Sequence, residues 1–387
     1  MKKFITFCLL ILSLLFVTPN VFAYSEKAYT NDNGVSISYS VKENLLIMGL
    51  NETDINNLDQ QQYDEFASMN IKYVIRQNQY VESVYEEDES GLVTNVENNY
   101  ISEKEMKNRV LQSEEPIITY AKNSSAYTTR TTEYKYMTVN ATYYDSEGTL
   151  GTFYVRVTLK WLKEPAKRYE DVISIAFADN VQITSEYING NQYPRFTATF
   201  SYRQEYRYSY VSILGTDYNS STTYHNVSKN GANTGSYRYD IDEGVSIKFV
   251  LPKETHVYNS GSGWSQTYDI DHYDLYLTLE GRFIPKQQGI NATSFAGVYE
   301  HQTGSGSIDW GNVSISPAPP YFSYSTSFWV NDPTFDDPLG APVFFEDLLD
   351  TGSGGGGGGG PIEIVMYSFK NGQVTSVTKT TTQRNSG

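Results

Sequence analysis

"TFYVRVTLKWL", residues 152–162, decides the fold. Phe153, Val155, Val157, Leu159 and Trp161 alternate with Tyr154, Arg156, Thr158 and Lys160. Side chains of a strand point to opposite faces in turn, so a period of two predicts a half-buried β-strand. The segment before it, "YKYMTVNATYY", alternates too, with Met137, Val139, Ala141 and Tyr143 on one side. "DSEG" (Asp145 to Gly148) joins the two as a hairpin turn.

Outward from this pair the pattern repeats. "DVISIAFA", "PRFTATFSYR", "GVSIKFVLP", "YDLYLTLEGRF", "GNVSIS" and "YFSYSTSFWV" all read as strands, separated by Gly, Asn, Asp and Ser clusters. Short strands with turn signals and little helical patterning predict a mainly β fold, with an antiparallel β-sandwich body of one or two sandwiches over residues 119–330. Residues 24–118 predict a small mixed α/β region. There, "NETDINNLDQQQYDEFASM" has a helical period, with Asn51 or Thr53 as cap and Ile55, Leu58, Phe66 and Met69 near one face. "ISEKEMKNRVLQ" carries a capping box in Ser102 and Glu105, and Ile101 and Met106 have staple spacing. Residues 71–85 fit strand or helix equally.

Both ends differ in kind. "MKKFITFCLLILSLLFVTPNVFA" has a basic start, a short apolar run and small residues before Ala23, the form of a secretory leader cleaved after Ala23. Cys8 is the one cysteine of the 387 residues, so the mature chain is expected to hold no disulfide. Residues 331–360 read as an acidic, proline- and glycine-rich linker, with seven glycines from Gly354 to Gly360. Asp350-Thr351-Gly352-Ser353 spells an aspartic-protease signature, but such a site needs two aspartates set in compact β-structure. The stretch is read as linker. Residues 361–387 predict a weakly ordered hairpin about Asn371-Gly372, or a tail.

Net charge is −16, which argues against nucleic acid or an anionic membrane as partner. No segment after the leader is apolar enough to cross a bilayer as a helix. The expected location is extracellular, with non-covalent retention on the cell wall as the bound form.

The candidate sites are sparse. "WLKEPAKRYEDV" (161–172) turns at Pro165 and places Arg168 near Asp171, a pair expected to clamp the turn. His225, His256, His272 and His301 show no metal-ligand spacing. In "YDIDHYD", Asp269, Asp271 and Asp274 form the acidic cluster best suited to calcium, the one cation considered as cofactor. Trp264 in a loop sequence, Trp310 at a turn, and Tyr321 and Trp329 on the serine-lined face of "YFSYSTSFWV" are candidates to stack on a sugar ring. The function expected from these residues is non-catalytic binding of a glycan or surface partner at the bacterial envelope. A glycan hydrolase using a carboxylate pair and a β-rich pore-forming toxin are the alternatives.

Trp161-Leu162-x-x-Pro165-x-x-Arg168-x-x-Asp171-Val172, followed by "YEHQT" (299–303) and "WGNVSIS" (310–316), resembles a group of uncharacterised secreted β-rich proteins of Gram-positive bacteria. "LLIMGLNETDINNL" (45–58) is similar to their N-terminal helices. The resemblance spans residues 45–316. It implies secretion and a β-rich body, and no activity or site residue.

Overall fold

The computed structural model describes residues 28–88, 93–112, 119–123, 126–146, 149–166, 168–177, 180–232, 237–240, 244–286, 292–302, 321–331 and 361–383. The leader, Trp310, the Asp350–Ser353 signature and the glycine run lie outside them. Contacts divide the chain into two compact units, at Ser68/Met69. This boundary falls well before the change of period at residue 119. The cause is the stretch 71–85, whose period fits strand or helix alike and which lies within Asn70–Glu87. It is a long strand belonging to the main sheet.

In the first unit, strands β1 (Ala28–Thr30) and β2 (Ser36–Ser38) pair as a small hairpin, followed by helices Tyr39–Ile47, Glu52–Asn56 and Gln60–Ala67. The single helical period of residues 51–69 is split in two. Asn51 and Asp54 close a capping box at 2.8 Å in both directions, and Asp59 with Gln62 closes a second. Asp59 therefore restarts the helix rather than continuing it. The Asn31 side-chain amide donates to the carbonyls of Ile55 and Leu58 (3.1 and 2.8 Å), which satisfies groups the break leaves over. Ile37, Leu45, Met48, Ile55 and Phe66 are buried.

The second unit is mainly β, and its sheets are antiparallel. The larger sheet runs in the order β13 (Gly215–Asn230), β12 (Phe196–Ser212), β17 (Trp264–Pro285), β7 (Thr149–Trp161), β6 (Ala126–Ser146), β3 (Asn70–Glu87), β20 (Pro361–Lys370), β21 (Gln373–Gln383). β4 (Val93–Ile101) joins β3, β5 (Thr119–Asn123) joins β6, and β9 (Val181–Ile183) and β16 (Thr255–Gly261) join β17. The smaller sheet is β14 (Tyr237–Asp240), β15 (Gly244–Val250), β8 (Glu170–Phe177), β18 (Ala292–Gln302), β19 (Tyr321–Asn331). β10 (Ser185–Ile188) and β11 (Asn191–Pro194) form a separate hairpin. Among the described residues neither sheet order closes into a barrel.

The two sheets share one core. Val139 of β6 stands opposite Val157 of β7, as their alternation predicts. Both meet Ile173 and Ile175 of β8, Ile247 of β15 and Phe295 of β18 in one buried cluster. Helix Glu103–Gln112 starts where the capping box predicts, with the Ser102 hydroxyl accepting from the Glu105 amide at 3.2 Å, and Ile101 packs with Met106. The closing hairpin turns at Asn371-Gly372, both with positive φ (54° and 73°), the geometry such a pair adopts most easily. Its first strand is more than a tail: β20 takes the edge of β3 and buries Ile364 and Val365.

One part of the larger sheet leaves the body. β17 pairs with β7 only over Tyr276–Phe283. From Tyr273 back to Trp264 it pairs only with β12 and β16. At the departure point the register shifts and Asp274 takes a positive φ of 56°. The result is a four-stranded ribbon, β13-β12-β17-β16, ending in two adjacent hairpin turns. The Ile213 amide donates to the Gly263 carbonyl (3.2 Å) and ties the two tips together.

Candidate functional site

Two polar clusters compete for this role. The first lies inside the sandwich. Glu133 and Lys135 of β6, Tyr85 and Ser83 of β3, Asp171 of β8, and Tyr299 and His301 of β18 are all buried. Tyr85 donates to Glu133 (2.7 Å), Lys135 donates to Tyr85 (2.8 Å) and Ser83 (3.2 Å), and the Ala166 amide donates to Glu133 (2.8 Å). Lys135 also lies 3.2 Å from Glu133 and sits over the Trp161 ring, 4.6 Å from its centroid. Asp171 accepts from His301 Nδ1 (2.7 Å) and from the Tyr299 hydroxyl. The expected Arg168–Asp171 clamp does not form. His301 stands directly opposite Asp171 in the sheet and takes its carboxylate. Arg168 turns instead to Glu254 (2.7 Å), Glu164 (3.2 Å) and the carbonyls of Pro252 and His272.

Burial pushes the Lys135 ammonium down to about 8, against the opposing pull of Glu133. Burial also works to raise the Glu133 carboxyl, but the charges of Lys135 and His301 outweigh it and hold it below its usual value. Burial, helped by Glu133 and Asp171, pushes the Tyr85 and Tyr299 hydroxyls well above theirs. A sealed polar set of this kind offers no substrate access, and it meets across the sheets where His301 Nε2 lies 3.8 Å from Glu133.

It also sets a pH profile. Lys135 binds its proton less tightly folded than unfolded, so the fold gains stability as pH rises from about 8 to 10.5, by up to about 3 kcal/mol. Above about 10 the tyrosines reverse the trend, because only the unfolded chain can shed their protons. Urea midpoints from pH 7.5 to 10 are expected to rise in the parent and to stay flat in Lys135→Met. A rise of equal size in both would remove Lys135 as the cause.

The second cluster is on the ribbon and is open. Register places two rows across its strands on one face. Tyr218, Ser209, Thr267 and Tyr258 form one row, and Ser220, Arg207, Asp269 and His256 the next. Arg207, Ser209, Tyr218, Ser220, Thr267 and Asp269 line a shallow cavity of about 280 Å³. Small hydroxyl residues make the floor, and Tyr218 (80% exposed) and Tyr258 (62%) carry rings at its two sides. Arg207 is bound to Asp271 and His256 to Asp269. The hydrogen bond and charge of Asp271 raise the guanidinium further above its already high value, so it is a fixed cation. This set offers ring faces, hydroxyls, a carboxylate and a guanidinium, with the titratable groups held in pairs.

The residues singled out by sequence fall unevenly about it. Asp269 lines the cavity and Asp271 holds its arginine. Asp274 sits at the departure point and pairs with Arg203 at 3.0 Å. Each of these aspartates is thus taken by a different side chain, His256, Arg207 and Arg203 in turn. Among the described residues no group of three or more His, Cys, Asp and Glu side chains converges as a metal site. Trp264 is not in a loop. It opens β17 at the ribbon tip, stacked near Tyr210 at 6.3 Å. Tyr321 and Trp329 lie on β19, opposite Gln302 and Ser294.

Tyr218 is hidden in the sequence because its strand, "GTDYNSSTTYHNVSKN", has almost no apolar residue to reveal it, and Arg207 and Tyr258 lie on β12 and β16 outside the segments whose alternation predicts strands. One signal was available. "SILG" places Ile213 and Leu214 at a turn, where polar residues are the rule.

No family model matches the chain, and no curated protein matches it. Solved structures give faint likenesses. The NetB toxin of Clostridium perfringens in its membrane inserted form is 11% identical, covering 62% of this chain and 93% of its own, at a TM-score of 0.18. The delta-toxin of Clostridium perfringens is 10% identical, covering 65% and 96%, at 0.19. A pore forming protein is 12% identical, covering 65% and 95%, at 0.19. Scores this low carry no argument, so the functional reading rests on the geometry of the ribbon.

Proposed function

We propose that this is a secreted, non-enzymatic protein that binds an extracellular glycan through the ribbon cavity. The observation that carries this reading is the placement of Tyr218 beside a hydroxyl floor that ends in Arg207 and Asp269. A pyranose has an apolar C–H face, which suits an exposed ring, and vicinal hydroxyls, which suit a carboxylate–guanidinium edge. Pairing of Asp269 with the His256 ring and of Asp271 with the Arg207 guanidinium supports recognition rather than bond cleavage, since each carboxylate already has a side-chain partner. The acidic net charge fits neutral glycan better than a polyanion.

Sedimentation with insoluble Gram-positive cell wall tests the proposal. The chain from Tyr24 is expected to sediment, and Tyr218→Ala and Asp269→Ala are each expected to weaken binding about tenfold, equivalent to ~1.4 kcal/mol. Wall binding that survives both substitutions would move the site elsewhere. No binding to wall or to a panel of soluble glycans would end the glycan reading.

A further inference from the structure

The end of the ribbon has a polarity gradient that the glycan cavity does not explain. Ile213 (87% exposed) and Leu214 (93%) form the β12–β13 turn, with exposed Val211 just behind. The β16–β17 turn is bonded beside them through Gly263 and adds Trp264, which is 38% exposed. Next come rings: Tyr210 and Trp264 first, then Tyr208 and Tyr268, with Tyr218 and Tyr258 on the opposite face. At about 3.4 Å per residue, Trp264, opposite Ser212, stands roughly 3 Å behind the tip and Tyr210 roughly 10 Å. The Arg207–Asp271 ion pair and the His256–Asp269 hydrogen bond begin only behind that band. Residues 208–223 carry Asp217 as their single charge, and residues 257–268 carry none.

Two leading aliphatic side chains, a belt of amphipathic rings and a charged layer behind it match the order of a lipid monolayer seen from its acyl side. Aliphatic groups prefer the hydrocarbon edge, and Tyr and Trp prefer the headgroup level. Aliphatic side chains of this size gain free energy on leaving water, so two of them exposed side by side on one tip are unfavourable without a partner. Charge selects among lipids. The tip has no Lys or Arg, and Asp217 repels anionic headgroups. We propose that the paired hairpin tips dock on a zwitterionic phospholipid surface, with Ile213 and Leu214 entering the acyl boundary and Trp264 and Tyr210 at headgroup depth. The docking is peripheral and driven by apolar burial, so salt does not weaken it.

Flotation of the chain from Tyr24 with phosphatidylcholine vesicles tests this. Binding is expected at low salt and at 1 M salt alike, and is expected to decline when phosphatidylserine is added. The double substitution Ile213→Ser/Leu214→Ser should lower the bound fraction at least tenfold. Both side chains are exposed, so its thermal unfolding should match the parent. Asp269→Ala should float like the parent, which separates this tip from the glycan cavity. Three results would overturn the proposal. These are no flotation with phosphatidylcholine, flotation unchanged in the double variant, or flotation that needs anionic lipid and disappears in salt. A double variant that alters only self-association, seen by sedimentation velocity, would make the tip a contact between copies and would overturn it equally.

Discussion

Glu133→Gln is expected to destabilise the second unit by about 3–5 kcal/mol, although it changes one oxygen to an amide of the same shape. Glu133 is the nearest anion to Lys135 and accepts from Tyr85, Lys135 and the Ala166 amide. Gln keeps an acceptor but removes the charge that helps Lys135 hold its proton, so Lys135 is left buried against the Trp161 and Tyr85 rings and must either carry an uncompensated charge or give up its proton. Attraction to those rings contributes about 2 kcal/mol, less than the cost of an uncompensated buried ion. Lys135→Met alone strands Glu133 in the same way. The double substitution Glu133→Gln/Lys135→Met removes both charges and is expected to recover most of the loss. Urea denaturation of the four proteins reads the coupling. If the two single losses simply add in the double variant, the ion pair is not what holds this part of the core together.

The same cluster shows how far the sequence could be read. Alternation in residues 152–162 predicts which face of β7 is apolar, and Phe153, Val155, Val157, Leu159 and Trp161 are all buried. It does not predict that the other face is covered as well. Tyr154 and Arg156 are buried there because both bind Glu280 of the neighbouring strand, at 2.5 and 2.6 Å, and Arg282 lies over the Tyr154 ring. Polarity reports what a residue prefers, and long polar side chains can shield one another when a partner strand supplies the opposite charge. The Arg168–Asp171 pairing failed for a related reason. Three residues of separation made the pair plausible, but sheet register brought His301 to Asp171 from far along the chain. The ribbon was the least legible part, because β13 gains its order from pairing with β12 and has no apolar face of its own to announce it. Asp269 and Trp264 were found by residue type; their shared ribbon was not.

Gly297→Leu is expected to destabilise the second unit although it removes no contact, and its cause is the approach of the two sheets. Gly297 is in β18, opposite Ile175 of β8. A Cβ at this position would lie 2.6 Å from Val139 Cγ2 and 2.9 and 3.0 Å from the two γ-carbons of Val157. Both valines belong to the facing sheet, stand opposite each other, and are β-branched, so neither can swing away without leaving its preferred rotamer. Even alanine must push β18 outward, and leucine adds a full side chain where there is no volume. Overpacking of this kind costs roughly 1–3 kcal/mol, and leucine belongs at the upper end. For a unit running from Met69 to Gly387, about 3 kcal/mol corresponds to a fall in Tm of roughly 4–5 °C. The physical cause can be separated from a general disturbance of β18. Val139→Ala removes the nearest methyl and should destabilise the parent by leaving a cavity, yet it should restore stability to Gly297→Ala by making room for the new Cβ. Thermal unfolding of the four chains gives the sign of the coupling. Losses that add would mean the glycine is needed for the backbone of β18. Losses that cancel would locate the requirement in the gap between Val139 and Val157.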